Sequence, residues 1–225
     1  MNTVGPVYCE TLHISAGSVF PFEMVNTLTS FIPALLGLIA LFVVHRKNRK
    51  SYELYILSLL LLATGIGSVF WHGTRTSLSL SFDVFPGMFF FLLLVFLWPN
   101  FLFKSKIAGF GVIALFLLLV TGLFQFGSFQ DTIHPFFYVY GTVAFIGTIL
   151  SLYTWKKKGN ATGTLAFLTI ASATLAAFFR TIDLSMCTVI PFGTHFLWHI
   201  FLGTAGFLGI LLILAISKNP DQRRV

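Results

Sequence analysis

Long apolar runs separated by short polar segments dominate the sequence between residues 25 and 217. A helix needs about 20 mostly apolar residues to cross the hydrocarbon core of a bilayer. The pattern predicts an all-α, polytopic membrane protein built as a seven-transmembrane helix bundle. The predicted spans are approximately 25–45, 53–72, 83–103, 107–126, 135–155, 162–182 and 194–217.

The composition agrees with lipid as the solvent of this chain. Hydrophobic residues make up 56% of the 225 residues and charged residues only 9%, whereas a soluble domain carries about a quarter charged residues. No linker or low-complexity segment divides the sequence. We therefore expect one membrane-embedded domain, 1–225, with an outer N-terminal segment at 1–24 and a short cytoplasmic tail at 218–225.

The basic residues predict how the bundle is oriented. With the N-terminus outside, 12 of the 14 Lys and Arg residues fall in inner segments, which is the usual asymmetry of membrane proteins. We therefore expect the N-terminus outside and the C-terminus in the cytoplasm. The net charge of +7 then belongs to cytoplasmic loops, so we expect no nucleic-acid partner, and no protein partner is identifiable. The inner residues are Arg46, Lys47, Arg49, Lys50, Lys104, Lys106, Lys156, Lys157, Lys158, Lys218, Arg223 and Arg224.

Ionisable residues at the ends of three predicted spans suggest a metal site. His72 ends the second span, Asp83 begins the third, and His195 and His199 lie at the start of the seventh. In the predicted topology all four lie in the outer part of the bundle, on the periplasmic, extracellular or lumenal side. Ionisable groups at membrane depth are functional candidates by default. Three histidines with an open fourth position are the usual arrangement of catalytic zinc.

Simpler interpretations exist for each of these residues. His195 and His199 are spaced i,i+4 on one helix face, and such a pair alone can be two hydrogen-bonded interfacial histidines. Ser68, one turn before His72, could bond a backbone carbonyl, and Asp83 could cap the third helix. A Ser-His-Asp hydrolase made of Ser68, His72 and Asp83 is a competing hypothesis, but it leaves the two later histidines without a role.

The two cysteines, Cys9 and Cys187, also fall on the outer side of the predicted topology. A disulfide is chemically permitted in that compartment. It would connect the N-terminal segment to the loop that enters the seventh span.

Taken together, these motifs resemble those of the alkaline ceramidase family, which belongs to a larger group of seven-helix zinc hydrolases and receptors. That group carries Ser-x-x-x-His, an Asp, and His-x-x-x-His, which here are Ser68/His72, Asp83 and His195/His199. The related progestin and adiponectin receptors place the Asp further from the first His than the interval of 11 found here. Further matches are Tyr8-Cys9-Glu10, Glu23-Met24-Val25-Asn26-Thr27, Ile182-Asp183 with Cys187, and Ile200 with Gly203.

The resemblance implies a function for each of these residues. His72, His195 and His199 would bind zinc, and Ser68 and Asp83 would assist catalysis. The reaction would be hydrolysis of the amide of ceramide or a related membrane lipid, giving a sphingoid base and a fatty acid, as part of sphingolipid metabolism. The family's cysteine pair also supports a disulfide between Cys9 and Cys187.

One motif departs from the family. Animal-type members begin a calcium site with Asp-Trp-Cys-Glu, whereas this chain has Val7-Tyr8-Cys9-Glu10 and lacks the leading carboxylate. Glu10 and Glu23 remain as candidate Ca²⁺ ligands together with backbone carbonyls. The sequence therefore gives calcium dependence only weak support.

The leading hypothesis is a zinc-dependent intramembrane amidase. The alternative is a seven-helix, zinc-containing lipid sensor of the receptor type. Short loops and a tail of a few residues favour the enzyme, because a receptor usually needs a larger cytoplasmic part for signalling.

Overall fold

The structure is a computed structural model that describes residues 4–14, 20–126 and 136–217. Three predictions fall outside these residues: the cytoplasmic tail at 218–225, the positions of its basic residues, and the start of the fifth span at residue 135.

The described residues form helices and contain no strand, which confirms the all-α prediction. There are also two short 3-10 helices: Glu10–His13 precedes the first α-helix, and Asp183–Met186 lies between the last two. Ser30 lies between the first two α-helices, and together they form one candidate span, Met24–Lys47. The α-helices are α1 (Met24–Thr29), α2 (Phe31–Lys47), α3 (Tyr52–Thr74), α4 (Ser77–Phe103), α5 (Lys106–Phe126), α6 (Phe136–Lys158), α7 (Asn160–Ile182) and α8 (His195–Ser217).

Six candidate spans among the described residues are long and apolar enough to cross a membrane, as expected of a multi-pass membrane protein. Helix α6 has 23 residues but interrupts its apolar positions with tyrosine, threonine and serine, and it is not among the six. The count of seven spans and the orientation of the termini therefore stay predictions.

Helix α4 begins earlier than the sequence pattern predicted. Its first residue is Ser77, and Thr76 caps it: the Thr76 hydroxyl accepts from the Ser79 N–H at 3.2 Å, and the Thr76 N–H donates to Ser79 Oγ at 3.1 Å. This reciprocal pair satisfies two donors at the helix start. The interpretation of Asp83 as the N-cap is therefore wrong. Asp83 lies inside the helix, where its carboxyl group is free of the capping role.

Helices α3 and α8 carry the three histidines and are the most deeply buried of the candidate spans. In the halves of these helices that lie away from the histidines, the side chains of Leu54, Leu57, Ile210 and Ile213 are fully buried in one apolar core. Burial of such side chains stabilises a fold by about 1.5–3 kcal/mol each in water, whereas in lipid their close packing holds the helices together. This core includes residues of both helices and holds them in one bundle.

Gly67 lets α3 and α4 approach at the level of the candidate site. A Cβ atom at this position would lie 1.9 Å from the carbonyl oxygen of Phe82, which no side chain can satisfy without movement of the backbone. Small residues allow such close approach in membrane bundles. The contact places Ser68, the next residue on α3, beside Asp83, the next residue on α4.

We expect Gly67→Ala to lower stability, because the new methyl group forces the two helices apart. The cost of overpacking is about 1–3 kcal/mol, larger than the gain from better helix propensity. Gly111→Ala in α5 is the matched control, since its Cβ would meet no atom within 4 Å. Thermal unfolding of both variants in detergent measures the difference. Equal stability would contradict the close-contact interpretation.

Candidate metal centre

Three histidines from two helices meet at one end of the bundle. His72 lies near the end of α3, and His195 and His199 occupy the first two turns of α8. All three are buried, with at most 3% of their surface exposed. Each offers a ring nitrogen, and these atoms lie within 4.8 Å of one another. The sequence prediction that the two histidine clusters converge is confirmed.

The donor set fits a metal ion. The Nδ1 of His195 and the Nε2 of His199 are buried and have no hydrogen-bond partner among the described residues. Buried polar atoms almost always have partners, so two such nitrogens beside a third imidazole need an explanation. Imidazole nitrogens suit zinc and several other transition metals. The group of three could therefore hold a metal ion.

Glu23 orients the first of these histidines. Its Oε2 lies in hydrogen-bond contact with Nδ1 of His72, so the Nε2 atom is left for a ligand. A carboxylate that binds the second nitrogen of a metal-ligating histidine fixes both its tautomer and its ring orientation. Two backbone bonds hold the glutamate in place: the N–H groups of Phe22 and Glu23 donate to the carbonyls of Gly73 and His72, each at 3.1 Å.

The Glu23 carboxylate is fully buried and surrounded by polar partners. Thr11 donates its hydroxyl to Oε1 at 2.5 Å, and the Asn26 amide donates to Oε2 at 3.4 Å. The guanidinium of Arg75 lies 3.2 Å from Oε1. Burial raises the pKa of Glu23, and the adjacent Arg75 cation opposes that rise. These contacts compensate a carboxylate that would otherwise be costly to bury.

Glu10 lies at the start of α1 and binds two of its backbone N–H groups. Its two carboxylate oxygens accept from the N–H groups of Val25 and Asn26, both at 2.8 Å, at the N-terminus of α1. Burial raises its pKa, and these two backbone bonds counteract the effect. Both candidate calcium ligands, Glu10 and Glu23, therefore already have protein partners. Calcium binding by them stays a prediction.

The N-terminal segment covers the histidines. The ring of Tyr8 stacks on that of His195 with 3.7 Å between the centroids, and burial raises the pKa of Tyr8 to about 12. Arg75 donates to the carbonyl of Pro6 at 2.6 Å and lies 4.1 Å above the ring of Trp71. One arginine thus connects the covering segment with Glu23, and through Glu23 with His72.

A disulfide and an aspartate fasten the same segment to α8. Cys9 and Cys187 are bonded, as the sequence predicted. The buried carboxylate of Asp183 accepts N–H groups from Cys9 at 2.9 Å, Thr194 at 2.6 Å and His195 at 2.8 Å. Asp183 therefore fixes the start of α8, where His195 is the first residue.

Ser68 and Asp83 lie beside the three histidines. The Ser68 hydroxyl is buried, 3.5 Å from Nδ1 of His199 and 3.1 Å from the hydroxyl of Ser30. Asp83, which is half-buried, has its carboxyl group in contact with the Ser68 side chain. The structure thus brings together all five residues of the predicted zinc site, and Asp83 reaches the histidines through Ser68.

A family model described as Ceramidase matches residues 8–224, nearly the whole chain. The chain belongs to the ceramidase family. This membership implies a hydrolase that acts on amides, with a lipid substrate. A search of curated proteins finds no match to the chain.

Several contacts of this ceramidase-family site were missed by the sequence analysis. Arg75, Ser30, Thr11 and Asp183 were given no role at the site. Glu23 was noted as a calcium candidate and as part of a family motif, but not as the partner of His72. The available signal was the position of Glu23, an acid directly before the first apolar span. An acid at membrane depth is costly unless it is paired, so a nearby cation such as Arg75 could have been sought.

We expect Glu23→Gln to weaken metal binding about 10–100-fold, because the neutral amide orients His72 less firmly than a carboxylate does. Competition with a chromophoric chelator measures the affinity of the purified protein for zinc. Glu53→Gln is the control, since Glu53 is an exposed acid at the start of α3. If the affinities of both variants equal that of the wild type, Glu23 does not position the ligand.

Proposed function

We propose that this chain is a zinc-dependent intramembrane amidase that hydrolyses the amide of ceramide or a related lipid, giving a sphingoid base and a fatty acid. The observation that carries the proposal is the meeting of three buried histidines in a chain matched to the ceramidase family. Two of the three have a ring nitrogen without a hydrogen-bond partner in the described part of the chain. Three imidazoles leave the fourth position of a tetrahedral zinc ion open for chemistry.

His72, His195 and His199 would hold the ion. When bound, zinc supplies a Lewis acid for water and for the amide carbonyl. Hydrolysis adds one water to the amide, breaks the C–N bond, and leaves a carboxylic acid and an amine. The remaining work falls to residues that move protons and stabilise charge.

Asp83 is suited to proton transfer. It would take a proton from the attacking water and return it to the leaving nitrogen, which becomes the amine of the sphingoid base. Ser68, in contact with both Asp83 and His199, would donate its hydroxyl to the substrate oxygen as negative charge develops there. The covering N-terminal segment would restrict access of bulk water from that end.

The first test measures zinc content and activity in wild type and His199→Ala. We expect about one zinc per chain and release of fatty acid from a fluorescent ceramide for the wild type. The variant should lose both. Zinc without turnover of any ceramide or related lipid amide would favour the sensor. A folded wild type without zinc would contradict the proposal.

The second test separates proton transfer from metal binding. Asp83→Asn should lower kcat by roughly 10²–10⁴-fold, because the amide cannot accept the proton of water. Its zinc content should match that of the wild type, since Asp83 lies outside the three-histidine group. Ser81→Ala is a control from the same helix, as Ser81 bonds only the backbone of its own helix at Ser77. Unchanged turnover in Asp83→Asn would exclude Asp83 as the base.

A further inference from the structure

Arg75 is a buried cation beside the candidate metal centre that the proposed reaction does not use. It directly follows the last residue of α3, and its side chain is only 4% exposed. A buried charge is costly unless it is paired. The guanidinium of Arg75 donates to the carbonyl of Pro6 at 2.6 Å and lies 3.2 Å from Oε1 of Glu23. It also lies 4.1 Å from the ring centroid of Trp71 and 5.7 Å from that of Tyr8.

The backbone at Arg75 has a conformation that an arginine rarely adopts. Its φ of 52° and ψ of 41° lie in the left-handed helical region, which is unfavourable for residues with a Cβ atom. Where a helix ends in this way, glycine or asparagine is the usual residue. The N–H of Arg75 donates to the carbonyl of Trp71 at 2.8 Å and so closes the last turn of α3. A glycine would relieve the backbone strain but would leave Glu23 without its cation.

The calcium site that the family resemblance suggested does not fit these contacts. Calcium takes about six to eight oxygen ligands. The groups around the Glu23 carboxylate are instead hydrogen-bond donors: the Thr11 hydroxyl at 2.5 Å, the Asn26 amide at 3.4 Å and the guanidinium. Both carboxylate oxygens of Glu10 already accept from backbone N–H groups at 2.8 Å, and Val7 stands where the motif would supply a further carboxylate. A second cation would have to displace the guanidinium.

The contacts of Arg75 join the N-terminal segment to the histidines. Tyr8 belongs to that segment, and its ring stacks on that of His195. On the other side of the guanidinium, the Glu23 carboxylate contacts Nδ1 of His72. One side chain therefore holds both the segment that covers the candidate metal centre and the carboxylate that orients one of its ligands.

We infer that Arg75 is a positioning residue whose guanidinium supplies the positive charge of this region from within the chain, so that the N-terminal segment is held over the metal centre without bound calcium. Because arginine stays charged in proteins, this cation is a permanent part of the fold. The inference rests on the proposed function only for the zinc ligands. The ion pair and the independence from calcium do not involve catalysis.

The first measurement asks whether calcium stabilises the purified full chain. The unfolding temperature is recorded in calcium-free buffer and in the same buffer with millimolar calcium chloride or magnesium chloride. We expect the two salts to give the same temperature, since a ligand raises it only by binding the folded state. A rise with calcium alone that is absent from Glu23→Gln would overturn the inference.

The second measurement removes the guanidinium. Arg75→Met replaces the cation by a neutral side chain and leaves Glu23 buried without it. The unfolding temperature should fall by at least about 5 °C. The affinity for zinc, measured by competition with a chromophoric chelator, should fall about 10–100-fold, because His72 is less firmly oriented. Arg75→Lys, which keeps the charge, should retain more of both.

A double variant, Glu23→Gln with Arg75→Met, separates positioning from a general structural effect. With both charged groups removed, no unpaired charge is buried, so the protein should unfold at a higher temperature than Arg75→Met alone. Its affinity for zinc should stay as low as that of Glu23→Gln, because His72 still lacks its carboxylate. If the costs of the two single changes simply add, Arg75 and Glu23 do not act as a pair and the inference is wrong.

Arg46→Met is the matched control. Arg46 also lies over an aromatic ring, that of Phe42 at 5.1 Å, but it is exposed at the other end of the span Met24–Lys47. Its unfolding temperature and its affinity for zinc should equal those of the wild type.

These measurements distinguish the inference from the proposed function. If the wild type binds zinc but hydrolyses no lipid amide, and the Arg75 variants behave as expected, the role of Arg75 stands and the amidase function fails. If the wild type hydrolyses ceramide and folded Arg75→Met matches it in stability and in affinity for zinc, the amidase function stands and the role of Arg75 fails.

Discussion

The buried carboxylate of Glu23 is the constraint around which the outer end of the bundle is arranged. An isolated ionised carboxylate in an apolar environment costs several kcal/mol, and this one is fully buried. Its oxygens are matched by Thr11, Asn26, His72 and Arg75. Because these partners come from the N-terminal segment, α1 and the end of α3, satisfying one carboxylate holds all three together. The orientation of His72 follows from that arrangement.

The histidine pair on α8 depends on a different carboxylate. Asp183 binds three backbone N–H groups at the start of α8, including that of His195 itself. The disulfide between Cys9 and Cys187 joins the N-terminal segment covalently to the segment before α8. Two buried acids thus position the residues of the candidate metal centre. Glu23 orients His72 at the end of α3, and Asp183 fixes the start of α8, which carries His195 and His199. The N-terminal segment contacts both acids, because the Thr11 hydroxyl donates to Glu23 and the Cys9 N–H donates to Asp183.

Apolar periodicity and the positions of charged residues were enough to predict the helices and the end of the bundle at which the histidines meet. The i,i+4 spacing of His195 and His199, with His72 at a matching depth, was sufficient to place three imidazoles together. The start of α4 was missed because the capping box uses Ser79, whereas the familiar signature has Glu or Gln at that position. The bond between Glu23 and His72 spans 49 residues. Helical periodicity describes faces within one helix, so it cannot pair such distant positions.

Along α4 the bundle changes from polar to apolar within a single helical turn. Asp83 contacts Ser68, which lies against His199, whereas Gly87, one turn further along α4, already lines an apolar cavity inside the bundle. Hydrolysis of a lipid amide needs this division, because water must reach the carbonyl carbon while the tail stays out of water. A soluble amidase can separate these regions with a surface loop. Inside a membrane, irregular backbone exposed to lipid is excluded, so the division has to be made by side chains on continuous helices.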